Sequence, residues 1–210
     1  MFNSLFVSGD SFPYGYELDE SIREQRNFPA LIARHFDIPV YNFSMQGGGN
    51  DRIQRMCFTE LPKLKNKNPL VIIPWSQPQR AEFWDTRSNS FQILHPPPGA
   101  DIEFSRLYFS QHSSSSSDVL RTLIAKISVQ NLLKQLGLNY LFIEMFDYRP
   151  TIPKIYKHLE ELIDMTNFLP GHLGEQYKGC PMAPGGHPLE EGHRKMADYL
   201  IKEIETRYVR

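Results

Sequence analysis

Four short runs of apolar and β-branched residues stand out along an otherwise polar chain. Leu5-Phe6-Val7 stops at Gly9, and Val40-Tyr41-Asn42-Phe43 stops before Gly47-Gly48-Gly49. Leu70-Val71-Ile72-Ile73 stops at Pro74, and Tyr140-Leu141-Phe142-Ile143 stops near Asp147. Each run has the length of a strand and ends at a chain breaker, so each is predicted as a buried strand. Between them the apolar positions recur with helical period. Leu31, Ile32 and Phe36 share a face within Phe28 to Phe36, and Leu120, Leu123, Ile124 and Ile127 do so within Asp118 to Leu136. The serines at 113 to 117 offer N-cap oxygens to that second helix. A last helix is predicted to open at Pro188 and to carry a stripe of Leu189, Met196, Leu200, Ile204 and Tyr208.

Strands alternating with helices predict an α/β fold, with a mostly parallel sheet covered on both faces and right-handed crossovers. In such sheets ligands bind at the carboxyl ends of the strands, which directs attention to the residues just after each run. One stretch, Asp85 to Ser117, breaks the alternation with Pro96-Pro97-Pro98-Gly99 and scattered aromatics (Phe91, Phe104, Tyr108, Phe109). A connection of this length is either a surface excursion packed by its own aromatics or a lid or substrate wall. The organisation expected is one domain over residues 1–210 with an insertion at about 85–117.

Charge and composition narrow the function classes. With 23 Lys and Arg against 24 Asp and Glu, the net charge is −1, so neither a nucleic-acid binder nor a polybasic membrane binder is expected. No apolar run approaches the roughly 18 residues of a membrane span. Met1 to Val7 is too short for a signal peptide, so a cytoplasmic protein is expected. Cys57 and Cys180 read as free thiols in a reducing compartment. No metal-ligand spacing and no cofactor motif is present, and none of either is expected.

Candidate chemistry sits at the strand ends. Ser11, in Ser8-Gly9-Asp10-Ser11, follows the first strand on a tight turn, where its hydroxyl is a nucleophile once a base takes the proton. Gly47, in the triple-glycine turn after the second strand, allows close backbone approach to a ligand and an N–H donor for an oxyanion. Ser76 and Gln77 place polar side chains after the third strand. His187 lies in Pro184-Gly185-Gly186-His187-Pro188, at a fixed position before the last helix. His193 falls at the spacing of that helix's apolar stripe and reads as packed or capping. His35, His95, His112, His158 and His172 are assigned no role.

Gly9-Asp10-Ser11 near the N-terminus, the glycines after strand two and the late His187-Pro188 together resemble the SGNH/GDSL hydrolase family across nearly the whole chain. Asn42 to Asn50, followed by the Trp-Ser-x-Pro-x-Arg segment Trp75-Ser76-Gln77-Pro78-Gln79-Arg80, is similar to poorly characterised microbial and phage members. The resemblance implies a three-layer α/β/α flavodoxin-like domain of SGNH-hydrolase type. It implies a serine esterase or acylhydrolase with Ser11 as nucleophile and His187 as base. The oxyanion would be held by the N–H groups of Ser11 and Gly47 and by a side chain after strand three, Gln77 or Ser76. The substrate implied is a small-molecule or glycan ester of a small acyl group.

Two blocks depart from the family. Where it carries Gly-x-Asn-Asp, this chain has Trp75-Ser76-Gln77-Pro78. Where it carries Asp-x-x-His, position 184 is Pro. A backbone carbonyl could orient His187, or a distant carboxylate could, with Asp147 and Asp85 as candidates. A non-catalytic carbohydrate- or ligand-binding module and an O-acyltransferase remain as alternatives to hydrolysis.

Overall fold

A computed structural model describes residues 2–94, 96, 103–147 and 154–209. In chain order it contains β1 (Ser4–Val7), α1 (Ser11–Tyr14), α2 (Arg23–Arg26), α3 (Phe28–His35), β2 (Val40–Asn42), α4 (Asn50–Leu64) and β3 (Pro69–Trp75). There follow β4 (Ala81–Asp85), β5 (Ser90–Leu94), α5 (Glu103–Gln111), α6 (Ser115–Leu136), β6 (Tyr140–Glu144), α7 (Lys157–Glu160), β7 (Phe168–His172) and α8 (Glu190–Tyr208).

The four predicted strands pair in parallel and are joined by β7, in the order β2-β1-β3-β6-β7. Counted within this sheet alone the order is 2-1-3-4-5, the flavodoxin-like arrangement. The two faces bury separate cores. Leu5, Val7, Leu70, Ile72, Leu141 and Ile143 pack with Phe28 and Ile32 of α3 and with Met196, Leu200 and Ile204 of α8. Phe6, Val71, Ile73, Trp75 and Phe142 pack with Ile53, Cys57 and Leu61 of α4 and with Val129 and Leu133 of α6. The protein is therefore a three-layer α/β/α molecule with a parallel central sheet, as its strand pattern predicts.

Several boundaries differ from expectation for identifiable reasons. β3 runs through Pro74 to Trp75. Val71 N–H donates to Asn139 O and Met145 N–H donates to Trp75 O, so odd-numbered residues of β3 face β6. The N–H that Pro74 lacks would point toward β1, whose pairing with β3 has already ended at Val7↔Ile72. α8 starts at Glu190 rather than Pro188, because Pro188 bridges to Met182 and Leu189 N–H donates to Pro181 O.

In α6 the buried face includes Val119, Thr122, Leu123, Ala125, Lys126, Val129 and Leu133, so Leu123 of the expected stripe is buried while Ile124 is exposed. Lys126 and Thr122 occupy that face because each has a partner: Lys126 pairs with Glu144, and Thr122 Oγ1 accepts from Asn50 Nδ2. The N-cap of α6 is Ser114, from the serine run. The stretch from 85 to 117 is structured in part. β4 and β5 form an antiparallel hairpin, and α5 follows. Arg55 of α4 holds the hairpin through Glu82 and covers Phe91, its guanidinium 3.9 Å from the ring centre. His95 and residues 97–102 of that stretch lie outside the described residues.

His193 is both packed and capping. It is fully buried, stacks near Phe28, and its Nδ1 accepts the Phe28 N–H at 3.3 Å, at the start of α3. Burial lowers its pKa from 6.5 to about 4. Between those values the unfolded chain takes up a proton that the folded one refuses, so stability falls as pH drops through this window. The full loss is about 3 kcal/mol from this group. Urea unfolding midpoints measured from pH 7 to pH 4 should show that slope, and His193→Gln should flatten it.

Candidate active site

The residues after β1 turn sharply into α1. A Cβ on Gly9 would lie 2.5 Å from Pro13 Cγ and 3.0 Å from Pro74 Cγ, so only glycine fits there. Asp10 caps α1, its Oδ1 accepting from Phe12 N–H at 3.0 Å. Its Oδ2 takes Ser76 Oγ–H at 2.8 Å and Arg80 Nη1–H at 2.9 Å. Complete burial pushes the Asp10 carboxyl above its usual range, against the opposing pull of Arg80 and the two hydrogen bonds. Ser11 stands at the first helical position, whose N–H has no partner within the helix.

His187 reaches Ser11 from the other end of the chain, with Nε2 2.8 Å from Ser11 Oγ. A tight turn presents it. Ala183 N–H donates to His187 O at 2.8 Å, Gly186 N–H donates to Ala183 O at 2.9 Å, and Gly186 has φ of 87°. Phe12 and Tyr16 flank the ring, at 4.9 and 5.1 Å between centres.

The other imidazole nitrogen, Nδ1, lies 2.7 Å from Glu17 Oε2. Glu17 also accepts the Gly185 N–H at 2.7 Å and the His187 N–H at 3.4 Å. The hydrogen bond from the His187 ring, with those from the two backbone N–H groups, holds the Glu17 carboxyl below its usual range, so it is ionised at neutral pH. A Cβ on Gly185 would sit 2.6 Å from Glu17 Oε2. The glycine found one residue after the expected aspartate position is thus what admits a carboxylate from elsewhere. Glu17 itself has φ of 67°, in the left-handed region that non-glycine residues seldom occupy.

Both ring nitrogens of His187 are therefore engaged, and neither Asp147 nor Asp85 is the second partner. Asp85 closes the β4–β5 turn by accepting from Arg87 N–H and Ser88 Oγ–H, each at 2.9 Å. Asp147 is exposed three residues beyond β6. Ser76 is corrected as well. Its single hydroxyl proton goes to Asp10, its oxygen accepts from Arg80, and its backbone is clamped by Asn50, so it does not donate into the site. Gln77 is half-buried at the end of the same strand.

The glycine turn packs directly on Asp10 and its neighbour. Met45 N–H donates to Gly9 O at 3.2 Å, and a Cβ on Gly48 would meet Gly9 O at 3.0 Å. Gly47, at φ of 73°, is buried beside this contact. Ser11, His187, Gly47 and Gln77 thus all lie at the carboxyl end of the sheet. Glu17 is the residue sequence reasoning missed. The available signal was Gly185-Gly186 where a carboxylate was expected, but nothing local named the replacement. Among the described residues no group of three or more His, Cys, Asp or Glu side chains could hold a metal ion, and no helix is long and apolar enough to cross a membrane.

Comparison with solved structures agrees with this architecture. TesA superposes with a TM-score of 0.61 at 14% identity, over 97% of this chain and 99% of that one. The psychrotrophic esterase EstA from Pseudoalteromonas sp., in a structure inhibited by monoethylphosphonate, gives 0.55 at 12% identity over 97% of each chain. A carbohydrate esterase family 2 enzyme with a carbohydrate-binding domain, from Corynascus thermopiles, gives 0.60 at 14% identity over 97% of this chain and 66% of that one. At these identities the likeness establishes the SGNH-hydrolase fold. No curated protein matches the chain in sequence. Residues 15–171 match a family of unknown function, a stretch that includes Glu17, Gly47, Gln77 and Arg80 but neither Ser11 nor His187. That match spans well over half of the chain, which therefore belongs to the family of unknown function DUF6071.

Proposed function

We propose that the protein is a serine hydrolase of carboxylic esters, acting through an acyl-enzyme. The observation that carries this reading is the continuous chain Glu17 Oε2–His187 Nδ1 and His187 Nε2–Ser11 Oγ, at 2.7 and 2.8 Å. These are the separations a general base and its orienting group need.

Ser11 Oγ attacks the ester carbonyl carbon as His187 Nε2 takes the hydroxyl proton. Glu17 keeps the ring proton on Nδ1 and offsets the imidazolium charge that develops. The N–H groups of Ser11 and Gly47 are the donors assigned in this proposal to the carbonyl oxygen as it becomes an oxyanion. Collapse breaks the bond to the alcohol oxygen, which leaves with the proton from Nε2. Water then attacks acyl-Ser11, gives its proton to Nε2, and the carboxylic acid departs as the serine is reprotonated.

A small acyl group, acetyl included, on a simple alcohol or a carbohydrate is the substrate class favoured. Esterases and a carbohydrate esterase are among the proteins of this fold. The working organisation is one domain over 1–210 with the 85–117 stretch as an insertion. A non-catalytic binding module is the alternative suggested by the two missing blocks, Asp-x-x-His and Gly-x-Asn-Asp; the carboxylate of Glu17 on His187 Nδ1 speaks against the first of these grounds only. An acyltransferase shares every step up to acyl-Ser11, and adding acceptor alcohols to the assay separates it from a hydrolase.

The test is hydrolysis of short-chain aryl esters and acetylated sugars, alongside labelling with a fluorophosphonate and peptide mapping. Turnover and a label on Ser11 are expected. Failure of both overturns the proposal.

A further inference from the structure

Resting on that reading of Ser11, we infer that Arg80 is the third oxyanion-stabilising group, in place of the side-chain amide this fold family uses after strand three. The residues expected there are Ser76 and Gln77, and the Ser76 hydroxyl proton is given to Asp10. Arg80 is drawn into the site by contacts from the ends of three strands and from the glycine turn. Its Nη1 donates to Asp10 Oδ2, just after β1, and to Ser76 Oγ, just after β3, both at 2.9 Å. Its guanidinium carbon lies 5.7 Å from the ring centre of Phe146, just after β6. Phe146 in turn packs edge-on against Phe12, the neighbour of Ser11, at 5.2 Å. A Cβ on Gly49 would fall 2.6 Å from Arg80 O and 3.0 Å from Arg80 Cβ, so the glycine turn is shaped to the arginine.

This convergence sets a guanidinium at the strand ends with donors to spare. Nη1 alone makes both side-chain bonds. Among the described residues Nη2 and Nε donate to no group, and the side chain keeps 17% of its surface open. A guanidinium is a planar fork of five N–H donors and remains charged at any working pH. Charge also argues for the role. Asp10 is a fully buried carboxyl adjoining the nucleophile, and an oxyanion forming beside it would be repelled. Arg80, paired to Asp10, cancels that repulsion and leaves its other edge for the new negative charge. The gain arises only as the carbonyl oxygen becomes anionic, so it acts on kcat rather than on KM.

The experiment uses the full chain, with an aryl ester for kcat and KM and a fluorophosphonate for the labelling rate of Ser11. Arg80→Lys keeps a cation for Asp10 but removes the fork. The pair Asp10→Asn/Arg80→Gln replaces the ion pair by neutral groups and is compared with Asp10→Asn alone. Both comparisons are expected to show kcat and labelling rate reduced by about 10²–10³-fold with KM within a few-fold, while Gln77→Ala loses far less. Guanidinium ion added at non-denaturing concentration should partly restore kcat and the labelling rate of Arg80→Ala with KM unchanged. A loss confined to Gln77→Ala, or an Arg80 effect seen only in KM, overturns the inference and leaves Ser11 as nucleophile. If the unmodified protein neither turns over esters nor labels at Ser11, the nucleophile reading itself has failed, and this inference goes with it.

Discussion

Ser11→Ala should abolish ester turnover, with kcat lowered by about 10⁴–10⁶-fold, the scale on which removing the nucleophile disables an intact serine triad. The residual rate would come from binding and oxyanion stabilisation, which the substitution leaves in place. Ser11 is buried and, among the described residues, its side chain makes one polar contact, to His187, so the change removes a hydroxyl and little else. The melting temperature should move by only a few degrees. Steady-state kinetics and fluorophosphonate labelling check this together. A variant that retains a tenth of the rate, or that still takes the label, would place the nucleophile elsewhere.

The second large effect belongs to Glu17. Glu17→Gln preserves the shape of the side chain but puts an amide against His187 Nδ1, and kcat is expected to fall by about 10²–10⁴-fold. The upper figure is the cost of the corresponding carboxylate-to-amide change in a serine protease. An amide can present its N–H₂ to Nδ1, which favours the tautomer with the proton on Nε2, where it cannot accept from Ser11. Gly185→Ala tests the same contact from the opposite side. The added methyl group would lie within 2.6–2.7 Å of both Glu17 oxygens, so the carboxylate must withdraw. Its kcat should fall toward that of Glu17→Gln, and combining the two substitutions should cost little more than either alone, because both remove one interaction. Equal kinetics for Glu17→Gln and the unmodified protein would reduce the centre to a Ser-His dyad.

The parts of the site that could be read from sequence are those announced by local chemistry. Ser11 follows a strand and a glycine, Gly47 stands in a run of three glycines, and His187 sits between glycine and proline ahead of a helix. Such signals depend on a few adjacent residues and survive without a structure. Glu17 has no such signal. It meets His187 across 170 positions, and its role comes from a turn in the left-handed conformation that one cannot infer for a glutamate. Ser76 was legible as a polar residue at a strand end, but not the direction of its hydroxyl, which depends on Asp10 lying beneath it. Likewise the strands β1, β2, β3 and β6 follow from apolar runs, whereas β7, Phe168-Leu169-Pro170-Gly171-His172, is interrupted by proline and glycine and is a strand only because it pairs with β6 at the sheet edge. The face of α6 is legible only in part, through Leu123, because Thr122 and Lys126 look solvent-facing until their partners are known.

The turn that carries Glu17 has a bearing on how related chains are recognised. Ser11 and Glu17 are separated by six positions and ride on one short segment, while His187 arrives on a turn that has no acid of its own. A search that demands an aspartate three residues before the histidine would discard such a chain as degenerate. A better signature for this arrangement is a glutamate shortly after Gly-Asp-Ser together with a glycine two residues before the late His-Pro, since the small residue and the displaced acid fill one space between them. Chains that gain one without the other should be the inactive ones.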